Sequence, residues 1–340
     1  MNRFRRMALG VGAAGLLLIG LAAAPGEAAA PVAHASACAR ATNIEAIVDD
    51  SGSMSITDPN RLRVQAMNLL IDTLNPATKL GAVEFGSAIG SLPGADTVFR
   101  PEAVGPNATA MRRALDKAIH ADNGATDYNA AFAQADADNP SADARIFLTD
   151  GGHDIGTYNE AHLVHKAPTY VVGFGAGLAS SADQQRLKKI ASDTGGQYFP
   201  LADASQLQPV LNSVGAALTC QTPPQQFIDK LKQGQSKSHS VTIGAATKSV
   251  QIALSWVSPL DLFKISGLKL VSGHKTLAVA SRAKKPSKLK ITRTTSPTFT
   301  VLRVSGLKKG SLRFKVKAAK IASGEPQATL TTQVGQSSHR

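Results

Sequence analysis

Cysteine is nearly absent from this chain: its 340 residues hold two, Cys38 and Cys220, 182 positions apart. That spacing suits neither a zinc pair nor a redox pair. A single disulfide joining the two ends of one domain is the simplest reading, with two unrelated buried thiols as the alternative. In the chain-entropy model, closing so long a loop contributes on the order of 5 kcal/mol at most. Aromatic residues make up 5% of the chain, too few for a surface that stacks on nucleic-acid bases, and the one tryptophan, Trp256, lies in an apolar strand pattern that marks it as core. Carboxylates almost vanish after residue 220: residues 221–340 hold 21 Lys and Arg against 3 Asp and Glu, whereas residues 36–220 hold 13 against 20. The sign changes within "QTPPQQFIDKLKQGQSKSHS", rich in Gln, Pro and Ser, which sets a linker at 221–238 between two folded units.

Long apolar runs are equally few. One occurs, the 18 residues 7–24, behind Arg3, Arg5 and Arg6 and closed by small-residue tripeptides. This is the pattern of an export signal over residues 1–35, with Ala33-His34-Ala35 before Ser36 as the cleavage site. Pro31 spoils the earlier site at Ala28-Ala29-Ala30, and the residues after Arg5-Arg6 fit twin-arginine export poorly. An uncleaved anchor is the alternative, since the run is near the lower limit for a bilayer span. With no second such run, no transmembrane span remains after cleavage and the protein is expected to be secreted or at the cell surface, without a visible wall-sorting or lipidation signal.

What is present is an alternation. "NIEAIVD", "KLGAVEF", "ARIFLTD" and "TYVVGFG" are short, rich in Val, Ile and Phe, and bounded by polar or Gly positions, as buried parallel strands are. Helical periods lie between them. In "DPNRLRVQAMNLLIDTL", Asp58 is expected as N-cap and Pro59 as first helical residue, with Leu62, Ala66, Leu69, Leu70 and Leu74 on one face. Residues 36–220 therefore read as an α/β domain, a doubly wound, mostly parallel, Rossmann-like sheet with ligands at the carboxyl ends of its strands. Residues 239–335 change period to eight short strands separated by Gly, Pro and Ser turns, an all-β sandwich. Within it "SPLDLFKISGLK" (258–269) echoes "SPTFTVLRVSGLK" (296–308), which suggests two similar strand–turn units.

The chemistry gathers at the strand ends. Asp49, Ser51 and Ser53 of "IVDDSGSMS" follow the first strand, Thr126 of "NGATDYN" precedes a helix, and Asp150 ends "ARIFLTD". Two carboxylates and three hydroxyls, with no Cys or His, form a hard-oxygen set that suits Mg²⁺, or alternatively Mn²⁺ or Ca²⁺. Catalytic readings lack parts. Neither Ser51 nor Ser53 has the flanking glycines of a nucleophile elbow. An Asp49-based phosphatase wants a second carboxylate where Ser51 stands, and the third glycine of a dinucleotide loop at 173–178 falls on Leu178. His153, His162 and His165 offer a zinc reading, against which capping or solvent-facing roles are favoured.

The spacing Asp49-x-Ser51-x-Ser53, then Thr126, then Asp150 in "LTDGG", resembles the metal-ion-dependent adhesion site of von Willebrand factor type A domains, over roughly residues 42–220. The resemblance implies that Ser51, Ser53 and Thr126 bind a cation directly, that Asp49 and Asp150 act partly through water, and that a partner protein's carboxylate completes the shell. It also matches a Cys38–Cys220 staple, and implies that the last helix, about 203–217, moves in members that switch. Asp127, where many members carry Asn, departs from the pattern without touching Thr126.

In the second unit "KLKIT" and "RFKVKA" alternate basic and apolar residues, so Lys288, Lys290, Arg313, Lys315 and Lys317 are expected on outward faces of their strands, available to an anionic cell-surface polymer. The expected protein is thus a secreted, non-enzymatic, metal-dependent adhesion module with a basic β-sandwich. A metal-dependent hydrolase and a structural surface protein with an unused metal site are the alternatives.

Overall fold

The structure, a computed structural model, describes residues 40–86, 94–120, 124–159, 167–175, 178, 181–219, 221, 224–272, 275–278 and 289–337. The expected signal segment, the pair Cys38 and Cys220, and Lys288 lie outside these. No helix among the described residues is long and apolar enough to cross a membrane.

The strands β1 (Asn43–Asp49), β2 (Lys79–Phe85), β3 (Ala95–Ala103), β4 (Ala144–Thr149), β5 (Thr169–Phe174) and β6 (Tyr198–Leu201) form one six-stranded sheet in the order β3-β2-β1-β4-β5-β6. All neighbours are parallel except β2 and β3. The central strands are mostly apolar because both faces are covered, with Glu45, Glu84 and Arg145 as buried charged exceptions. Ile44, Ala46 and Val48 of β1 meet α2 (Leu62–Thr73), α3 (Val104–Ala118) and α6 (Leu207–Leu218), while Ile47 turns to Tyr128 and Phe132 of α4 (Tyr128–Asp138) and Leu187 of α5 (Ser181–Asp193). A one-turn helix, α1 (Met54–Thr57), follows the first strand loop.

Helix α2 starts later than its sequence suggests. Its N-cap is Arg61 in the left-handed region (φ 53), not Asp58 with Pro59 following. Asp58 nonetheless serves the free amides: its carboxylate accepts Leu62 N at 2.6 Å and Arg63 N at 2.9 Å. The extra turn brings Asp58 against the guanidinium of Arg63 at 3.0 Å, where all the side chains are buried.

The second half forms two antiparallel sheets. One holds β8 (Ser236–Ile243), β10 (Leu262–Ser272), β11 (Lys275–Ala278) and β14 (Gly310–Lys320), in the order β11-β10-β14-β8. The other is β12-β13-β9-β15-β7, from β7 (Gln225–Leu231), β9 (Ser249–Trp256), β12 (Lys290–Ser296), β13 (Phe299–Ser305) and β15 (Ala328–Ser337). Their inner faces share one core in which Trp256 meets Phe263 at 5.3 Å between ring centroids, so the tryptophan is core as expected. Strand β7 corrects the linker expected at 221–238: residues 225–231 pair with β15 over their whole length. The two echoing stretches part company. Gly267 (φ 60) sits in a bulge within β10, whereas Gly306 (φ 77) follows the end of β13, in the other sheet.

The outer face of the five-stranded sheet rests on the α/β layer. Leu69 of α2 packs on Ala253, Phe299 and Val301. Arg303 donates to the carbonyls of Asp72 (2.6 Å) and Leu74 (2.9 Å), and Asn212 of α6 donates to Gln333 at 2.7 Å. Helix α6, the element expected to move in switching members, is thus held between α2 and β15.

One buried carboxyl at the far end of the sheet makes a large contribution to the pH dependence of stability. Glu45 has no exposure, accepts Asn139 Nδ2 at 3.0 Å, and lies so close over Gly81 that a Cβ there would meet its Oε2 at 2.1 Å. Burial pushes its pKa from 4.5 to about 8, against the Asn139 bond and the Arg145 charge. The folded protein therefore keeps a proton that the unfolded chain releases, and stability falls as pH rises from about 4.5 to about 8. Glu45→Gln is expected to remove that fall, gaining about 3 kcal/mol over wild type at pH 9 and little at pH 4. Urea titrations across pH check this; parallel curves for the two proteins would refute it.

Candidate metal centre

The first strand loop closes on itself through hydrogen bonds to its own carboxylate. Asp49 Oδ1 accepts Ser51 N at 2.9 Å, and Asp49 Oδ2 accepts Thr149 Oγ1 from the end of β4 at 2.6 Å. Ser51 Oγ lies 3.1 Å from Ser53 Oγ, which donates to Asp150 Oδ1 at 2.7 Å. Four of the five expected donors are therefore in one hydrogen-bonded chain. Thr126 joins from the side: Gly52 N donates to Gly124 O at 3.0 Å, and the Thr126 hydroxyl would lie 3.8 Å from a Cβ placed on Gly151, next to Asp150. The loop also needs Gly86 at its back, since a Cβ there, at φ 125, would meet Ser51 N at 2.2 Å.

Three contributors carried weaker sequence signals. Thr57 of α1, one turn after Ser53, donates to Asp150 Oδ2, so both oxygens of Asp150 accept hydroxyls. Asp154 Oδ1 holds Thr126 N at 2.7 Å and fixes that loop. Asp50, between Asp49 and Ser51, is the third. It accepts Arg63 Nη2 at 2.5 Å and His120 N at 2.8 Å, which ties the loop to α2 and to the end of α3. The i+4 spacing of Thr57 was a readable signal; those of Asp50 and Asp154 depend on tertiary placement.

Asp127 caps α4 through Asn129 N (2.9 Å) and Ala130 N (3.1 Å). His153 caps the same helix, its Nδ1 accepting Tyr128 N at 3.1 Å, while His162 and His165 lie outside the described residues. Of the five basic residues expected on outward faces, Lys288 also lies outside. Lys290 is on β12 in one sheet, and Arg313, Lys315 and Lys317 are exposed on β14 in the other, so the set divides between two surfaces.

Asp49 and Asp150 are both without exposure. Burial, and then the charge of Asp150, push the pKa of Asp49 up to about 7. Among the described residues no cation is paired with either carboxylate, and the nearby Arg63 is engaged by Asp50 and Asp58. Two buried carboxylates with no counter-charge are stabilised by a bound cation. Among the described residues no cluster of three or more His, Cys, Asp or Glu side chains gathers as a ligand set, so the hydroxyls must supply the remaining donors. The donors that converge here among the described residues are all hard oxygen, which fits a small divalent cation.

The family model of the von Willebrand factor type A domain matches residues 43–213. The chain belongs to this family. Among solved structures it is similar to a von Willebrand factor type A protein from Catenulispora acidiphila (18% identity, TM-score 0.43, covering 87% of this chain and 63% of that one). It is similar also to the pilus adhesin SpaC from Lactobacillus rhamnosus GG (12%, 0.43, 88% and 44%). A third is proximal thread matrix protein 1 from the mussel byssus, with a zinc-occupied MIDAS motif (15%, 0.44, 58% and 50%). This chain spans less than two thirds of each of those chains. No curated protein matches it.

Proposed function

We propose that this von Willebrand factor type A domain is a divalent-cation-dependent protein-binding module, exported and acting in adhesion at or outside the cell surface. The observation that carries the reading is the convergence of two fully buried carboxylates, Asp49 and Asp150, with no cationic partner among the described residues, on a chain of hydroxyls. Asp49, Ser51, Ser53, Thr126 and Asp150 would hold Mg²⁺, or Mn²⁺ or Ca²⁺. Bound there, the cation supplies a Lewis-acidic position for a carboxylate oxygen of a partner protein. The chain's own residues do the rest. Asp154 keeps the Thr126 loop against the Asp150 turn, Thr57 orients Asp150, and the Asp50–Arg63 pair anchors the first loop to α2. A disulfide between Cys38 and Cys220 would add to the seam at which Ala41 N donates to Leu218 O at 2.8 Å. The basic half would turn the module towards an anionic surface.

Capture from the native surface tests the function. Wild type should retain a protein partner in Mg²⁺ and release it in chelator, and Ser51→Ala should fail in both. Retention that ignores metal and Ser51 would overturn the proposal in favour of a structural surface protein. Turnover of phosphate or ester substrates that needs Asp150 would favour a hydrolase.

A further inference from the structure

We infer that the outer face of the four-stranded sheet docks on an anionic lipid surface. The inference rests on the reading of the sandwich as a contact for anionic surfaces and is independent of the cation site. Strand alternation turns Lys264 and Lys269 of β10 and Arg313, Lys315 and Lys317 of β14 outward, all exposed, with the inward residues Phe263, Ile265, Leu312, Phe314 and Val316 buried. The register sets Lys264 directly opposite Lys317 and Lys269 directly opposite Arg313. Lys315 faces Ser266 on one side and Ser238 on the other. Directly opposed like charges weaken an antiparallel pair, and this sheet keeps two such pairs on one face, with Lys315 between them.

Nothing in the sandwich relieves them. Asp229 is bonded to His239 at 2.7 Å, and Asp261 accepts Ala322 N, Ser323 N and Ser323 Oγ at 2.8–3.0 Å. Glu325, exposed between β14 and β15, is the third carboxylate after residue 220. Among the described residues none of the five cations has an acidic partner, whereas a face that only needs solubility mixes its signs. An array of one sign, with cross-strand neighbours about 5 Å apart and in-strand neighbours about 7 Å apart, matches a carpet of phosphate headgroups.

Two leucines favour lipid over a hydrated polymer. Leu260 (62% exposed) is in the turn that leads into β10, and Leu262 (43% exposed) is the first residue of that strand, opposite Lys320. Apolar side chains at the margin of a basic face gain by entering the headgroup and acyl boundary, and gain nothing beside a hydrophilic chain. Among the described residues no aromatic side chain is exposed on this face to stack on sugars or bases.

Sedimentation of the chain from Ser36 onward with vesicles tests this, without the apolar run at 7–24, and in chelator so that the cation site is silent. Vesicles of phosphatidylcholine with about a third phosphatidylglycerol should bind it, and pure phosphatidylcholine should not. Each cation removed should lower partitioning roughly five-fold, so Lys264→Ser with Lys315→Ser and Lys317→Ser should lose about a hundred-fold. That triple variant should melt no lower than wild type, because it removes a repulsion. Leu260→Ser with Leu262→Ser should weaken binding without altering its dependence on salt. Equal binding to both vesicles would overturn the inference. Binding to polyphosphate but not to vesicles would also overturn it while leaving the anionic-contact reading intact, and binding to neither would remove both.

Discussion

Asparagine in place of Asp150 will abolish Mg²⁺ uptake while raising the melting temperature of the metal-free protein. The two effects have one cause. Asp150 is fully buried beside Asp49, and its charge is the second largest reason, after burial, that Asp49 is pushed up to about 7. The amide keeps the shape of the carboxylate, and its partners Ser53 and Thr57 are hydroxyls that can accept where they now donate. Relief of the repulsion is worth about 1 kcal/mol, or about 2–4 °C in Tm. Loss of an anionic ligand should weaken Mg²⁺ by more than about a hundred-fold, since even residues that only orient a ligand contribute 10–100-fold. Calorimetry gives both readings, uptake at millimolar Mg²⁺ and the thermal scan. A variant that is merely damaged loses affinity and stability together, so the opposite signs are the diagnostic result. Unchanged uptake would show that the five oxygens are not a metal site.

How much of this was legible in the sequence follows from what each residue depends on. β1 and β2 have the bounds that "NIEAIVD" and "KLGAVEF" suggest, because a strand covered on both faces is mostly apolar and its limits follow composition, even with Glu45 and Glu84 buried inside them. β3 and β7 escaped because edge strands have one exposed side: "ADTVFRPEA" and "QQFIDKL" mix polar and apolar residues, and β7 is defined by pairing with β15 about a hundred positions away. The five site oxygens were legible because their spacing along the chain, added to the sheet topology, puts them at one level. The supports of the site were not. A guanidinium buried between Asp50 and Asp58 looks, in sequence, like any basic residue of an amphipathic helix. The lysines of β10 gain their meaning only from the register that opposes them to β14.

Arg63 is where a single change should cost most stability. Its Nη2 is 2.5 Å from Asp50 and its Nη1 3.0 Å from Asp58, with all three side chains at 0% exposure. Backbone donors complete the carboxylates, Leu62 N and Arg63 N on Asp58 and His120 N on Asp50. One guanidinium already serves two acids, and burial holds the pKa of Asp58 above its ordinary value. Arg63→Met would fill most of the volume and remove the charge that Arg63 sets against both buried carboxylates, a loss of about 3–5 kcal/mol at pH 7. The cheapest escape for such carboxylates is to take up protons, which raises their folded-state pKa above the unfolded value. The variant then binds more protons folded than unfolded, so its deficit should shrink as pH falls towards 5 and grow as pH rises. Urea titrations of wild type and variant at pH 5 and pH 7 measure this, and a deficit below about 1 kcal/mol at both would refute the pairing. Adding Asp50→Asn to Arg63→Met should recover part of the loss by removing one of the two buried charges that Arg63 offsets. Because Asp50 lies between Asp49 and Ser51, Arg63→Met should also loosen the loop and weaken Mg²⁺ uptake. It thereby pairs lower stability with lower affinity, the combination that Asp150→Asn separates.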